Sequence, residues 1–181
     1  MQTCQIGKRP VESKGGFMSK TNLGRCENRE PQVREISRNA AGFDVAEDTL
    51  LTIARSFFQS YAIPESQSWM SGYDIAEAAF GAETGSMIAT RMFSALRAVR
   101  HSRRSVFCFN SPTCQCCAQV VTEHERRLMQ ALQSIRCNQM GRAQAELMML
   151  CEGNSVSQVI GTLVQLSMVL PPRVEQVRID A

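Results

Sequence analysis

The stretch DVAEDTLLTIARSFFQSYAIP, residues 44–64, decides the fold. Asp44 is followed three residues on by Glu47, the pattern of a capping box. Leu50, Ile53, Ala54, Phe57, Phe58 and Tyr61 then recur at i, i+3, i+4, i+7, i+8 and i+11. At 3.6 residues per turn this spacing puts all six on one face of a helix, and Pro64 ends it.

The same grammar continues along the chain. A loop with Trp69 and Gly72 leads to a short helix over Tyr73–Phe80, closed by Gly81. Glu83 to about Arg104 forms a helix with Ile88, Met92, Ala95, Leu96 and Val99 as its apolar stripe. Thr122 and Glu125 form a second capping box. The helix behind it carries Leu128, Met129, Leu132 and Ile135 to about Met140, with Gly141 as its stop. Arg142–Cys151 is a further helix, and the last runs from Asn154 or Ser155 to Leu170, halted by Pro171 and Pro172. Strict alternation occurs over no long segment. Only Ser105–Phe109 could be a short strand. The expectation is an all-α domain over residues 41–181, a bundle of five to six helices in which a cysteine-rich loop links two halves.

With 181 residues the chain suits one domain and a tail. Residues 1–40 hold eight basic and four acidic side chains, two prolines and no apolar period, and are expected to be a flexible basic tail. All three lysines (Lys8, Lys14, Lys20) fall there, and Lys14-Gly15-Gly16-Phe17 before Met18 could be a translated ribosome-binding site, so that translation starts at Met18. Residues 41–181 hold twelve basic and thirteen acidic side chains and are nearly neutral. The opening residues have no apolar signal region. The uncharged stretch 155–170 is interrupted by serine and glutamine and is short for a bilayer, so no membrane span is expected. The eight cysteines then point to a cytoplasmic location with reduced thiols or metal ligands.

Four of those cysteines fall within ten residues, in Cys108-Phe-Asn-Ser-Pro-Thr-Cys114-Gln-Cys116-Cys117. Cys114 and Cys117 have the C-x2-C spacing that turns two thiolates toward one ion. Cys108, six positions earlier, is a third candidate, and Cys116 a spare one. His124, Cys137 or Cys151 would complete a tetrahedral set, for zinc or, given the C-x5-C-x2-C order, an iron–sulfur cluster. Cys4 and Cys26 lie in the tail. The function expected is that of a metal-binding regulatory or accessory protein. A thiol redox sensor or enzyme using Cys114, Cys116 or Cys117 is the alternative, and a metal-free helical adaptor the second alternative.

Catalysis is the weaker expectation. No serine-nucleophile elbow, zinc-protease motif or dinucleotide fingerprint occurs, and Gly15–Thr21 lacks the glycine and the strand of a phosphate loop. Cys117 with His124 could form a nucleophile pair, but such near neighbours serve local structure more often. The arginines 97, 100, 103 and 104 with His101 could grip phosphates; a solvated helix end answering the seven acids of residues 44–85 is preferred. Helices 142–151 and 155–170 look like a helix-turn-helix, yet the second has no charge to present to base edges. It belongs in a core or an interface, so the partner expected is a protein or a second copy meeting the 155–170 helix.

Overall fold

The structure is a computed structural model that describes residues 17–19 and 31–173. Among them α-helix dominates, with four very short strands: β1 Phe17–Ser19, β2 Ile36–Ser37, α1 Val45–Ala62, α2 Trp69–Phe80, α3 Ala82–Ser102, β3 Phe107–Phe109, α4 Gln115–Ala118, β4 Val120–Val121, α5 Glu123–Arg136, α6 Met140–Leu150 and α7 Ser157–Ser167. The all-α expectation holds. The six long helices are the six read from the sequence, and α4 is a single turn inside the cysteine loop.

Both capping boxes form. Asp44 accepts from the Glu47 N–H at 2.7 Å, and the Glu47 carboxylate accepts from the Asp44 N–H at 3.0 Å. The face of α1 that the periodicity picked out is the core: Leu50, Ile53, Ala54, Phe57 and Phe58 are buried among Ile88, Met92, Leu96 and Val99 of α3 and the apolar side chains of α5, α6 and α7. The last helix buries Val159, Leu163 and Leu166 in that same core, which accounts for its lack of charge from within the chain. No helix among the described residues is long and apolar enough to cross a membrane.

Two local expectations are corrected. Trp69 and Gly72 lie in α2 rather than a loop. Gly72 sits where an added Cβ would come 3.2 Å from the Phe57 ring, so it serves close helix packing, not chain reversal. Gly141 is inside α6 and stops nothing. The break between α5 and α6 is made by Asn138, whose φ of 56° is left-handed, and whose N–H returns to the Ile135 carbonyl. Asparagine tolerates that conformation better than most residues.

The described chain also reaches back before residue 41. Ile36 and Ser37 pair antiparallel with Val121 and Val120, and Arg38 binds the Asp48 carboxylate and the Thr52 hydroxyl of α1. β1 pairs parallel with β3, Met18 opposite Cys108. The rest of the expected tail, with Cys4 and Cys26, lies outside the described residues.

Candidate functional site

The cysteine loop runs from β3 to β4 and is held from beneath by α1. Phe58 stacks on Phe107 at 4.3 Å between centroids and packs on Phe109 at 5.4 Å. Beside it stands Arg55, fully buried. Its guanidinium binds both oxygens of Glu125, at 2.8 and 3.0 Å, and donates to the carbonyls of Ala118 at 2.9 Å and Val120 at 2.6 Å. Glu125 also accepts from the Asn110 and Thr122 N–H groups. One arginine thus ties the loop after the cysteines to α1 and to the start of α5. Sequence reasoning misses it; its signal is a single charge inside the apolar run 50–58.

The seven candidate ligands separate into three places. Cys114, Cys116 and Cys117 share the α4 turn: Cys114 is its N-cap, Cys117 is buried, and the other two are half-buried. Cys137 caps the far end of α5 and is exposed, 3.8 Å from the Arg173 guanidinium. Cys108, His124 and Cys151 lie around Arg103. Among the described residues no three His, Cys, Asp or Glu side chains come together in an arrangement that could hold a metal ion.

Arg103 explains the third group. It is the C-cap of α3 and is turned inward, 6% exposed. It donates to the Leu150 carbonyl, to Ser105 Oγ at 2.9 Å and to the Val106 carbonyl at 3.3 Å, pairs with Glu152 at 3.3 Å, and lies 5.7 Å over the Phe107 ring. Burial lowers its pKa, opposed by Glu152 and by the Cys151 and Cys108 sulfurs. The cation among these side chains is therefore a guanidinium, and a metal ion placed there would be repelled by it.

His124 is committed too. Its Nδ1 accepts from the Cys108 N–H at 2.9 Å, so a neutral ring carries its proton on Nε2, which faces Arg103 at 3.5 Å. Desolvation first, and Arg103 second, depress its pKa to about 4. Cys151 is buried at the end of α6, bonded to Ser102, and its burial raises the thiol pKa. Neither group has the exposure or the ionisation expected of a nucleophile.

Three of the seven acids of residues 44–85 have partners outside the arginine cluster. Asp44 and Glu47 pair with Arg136, Glu47 also with Arg173, and Asp48 with Arg38. Arg97, Arg100 and His101 instead line a cleft of about 460 Å³ with Tyr61 and Phe93. Comparison with known proteins returns no matching family model, no similar curated protein and no similar solved structure.

Proposed function

We propose that the chain is a cytoplasmic regulatory or accessory protein that acts by binding, and that its α4 turn holds zinc or an iron–sulfur cluster. The observation that supports this is the turn itself. It gathers three thiols into one turn of helix. Cys114 and Cys117 stand three positions apart, the spacing at which two thiolates can turn toward one ion. Two sulfurs are half of a tetrahedral set. The remaining donors must then come from residues outside the described ones or from a second molecule. A metal on the turn would act on the segment just after it, because the Ala118 carbonyl is gripped by Arg55 and, at 3.5 Å, by Arg38. Its occupancy would thereby be felt in α1 and at the start of α5.

Elemental analysis and an absorption spectrum of the full chain, purified without oxygen, test this. Stoichiometric zinc, or the visible band of a cluster, is expected in the native protein and absent from a Cys114→Ser, Cys117→Ser variant. A chelator should lower the melting temperature of the first and not of the second. Metal-free native protein whose melt ignores the chelator overturns the proposal in favour of the helical adaptor. A single rapidly alkylated thiol in that metal-free protein favours redox chemistry at Cys114, which stands at the α4 N-cap.

A further inference from the structure

The cleft beside the C-terminal half of α3 is separate from the cysteine loop, and among the described residues no cysteine lines it. Its floor is aromatic. The Tyr61 and Phe93 rings are nearly parallel, 6° apart in plane and 5.9 Å between centroids. The Arg100 guanidinium lies over the Tyr61 ring, 4.9 Å from its centroid. Phe93 and Tyr61 thus stack on each other, with the Arg100 guanidinium beside them over the Tyr61 ring. The stack is held from below: the buried Phe57 ring meets Phe93 edge-on at 5.5 Å and Tyr73 at 5.8 Å, and Tyr73 is fixed by a 3.1 Å hydrogen bond with Thr90. A planar ligand would therefore meet a pre-set surface, which lowers the ordering cost of binding.

Around this stack the charge has one sign. Arg97, Arg100 and His101 stand at i, i+3 and i+4 of α3, on one face, and the first and last are about 6 Å apart along the axis. Among the described residues none that lines the cleft is acidic. His101 also borders a second hollow of about 330 Å³, lined among others by Arg104, Asn154, Ser155 and Gln158. The two hollows therefore adjoin, and the basic side chains run from one into the next. Among the described residues no carboxylate pairs with the side chain of Arg97 or Arg104. The C-terminus of α3 contributes about half a negative charge, which would repel an anion, but the arginines outnumber it.

We propose that this surface binds single-stranded nucleic acid, one base extending the Phe93–Tyr61 stack and the flanking phosphates taken by Arg97, His101 and Arg104. Cations alone would take any polyanion. Planar groups set among them select a ligand that offers a base face beside a phosphate. A duplex hides those faces between its stacked pairs, and a free nucleotide would leave the second hollow without use. The sequence by itself argues against nucleic acid because it does not reveal that Tyr61 and Phe93, 32 positions apart, share one cleft.

Fluorescence anisotropy of a labelled oligothymidylate of about twelve nucleotides with the full chain tests the proposal. Binding at low salt is expected, with log affinity falling against log salt at a slope of about −1.4, as two arginine–phosphate contacts on a single strand give. Arg97→Ala with Arg104→Ala should flatten that slope to near zero while leaving the melting temperature unchanged. Tyr61→Leu keeps an apolar side chain but removes the plane, and should weaken binding about ten-fold with the slope retained. Three results overturn the proposal: no binding at low salt, native affinity and slope in the double-arginine variant, or equally tight binding of a duplex of that length or of thymidine monophosphate.

Discussion

His124 is a neutral ring by construction. The Cys108 N–H occupies its Nδ1, and Arg103 stands before its Nε2. Its pKa of about 4 in the fold lies below the 6.5 of an unfolded chain, mainly through desolvation. The unfolded chain therefore takes up a proton that the folded one refuses. The stability tied to this group is fully present above about pH 6.5 and is lost as pH falls toward 4. Denaturant melts at neutral and mildly acidic pH should show a loss on acidification that is smaller in His124→Gln. An equal loss in the variant would place the acid sensitivity elsewhere. The half-exposed position of the ring keeps the effect modest. Nothing in the single letter H at 124 reveals this, because the partners come from β3 and from the end of α3.

Among the elements, α2 and α3 approach closely at Gly85. Gly85 faces the last turns of α2, and a Cβ added there would lie 2.6 Å from the Ala76 carbonyl carbon and from the Glu77 Cα. These are backbone atoms and cannot swing aside. Gly85→Ala should therefore destabilise the protein by about 1–3 kcal/mol, despite the better helix propensity of alanine. A urea titration measures this, and a gain in stability would contradict the packing. The helices themselves were legible because caps and apolar period are local: the Asp44/Glu47 and Thr122/Glu125 boxes start α1 and α5 at the positions expected. The break at Asn138 was not, since glycine at 141 is the stronger textual signal while the left-handed turn fell on asparagine. Backbone conformation there is decided by how α5 and α6 pack, not by propensity alone.

Across the chain, Arg55 joins the parts. It stands on α1 in the first half, grips two carbonyls of the cysteine loop, and pairs with Glu125 at the start of the second half. Arg55→Met would leave the fully buried Glu125 carboxylate without its cation and two carbonyls without donors. A loss of about 3–5 kcal/mol is expected, seen as a shifted denaturation midpoint. A variant as stable as the native chain would show that the pair is dispensable.

The letters alone determined that there are six long helices and which face of α1, α3 and α5 is buried, because helix caps and 3.6-residue periodicity are properties of neighbours in the chain. They also brought the cysteines to notice, since spacing is read directly. The grouping of side chains into sites depended on folding. Arg97, Arg100, Arg103 and Arg104 are alike as text, yet Arg103 is drawn inward to the end of α6 while Arg97 and Arg100 line the aromatic cleft. The cause is that a charged side chain takes its role from the desolvation and the partners it meets, and those arrive from segments tens of residues away.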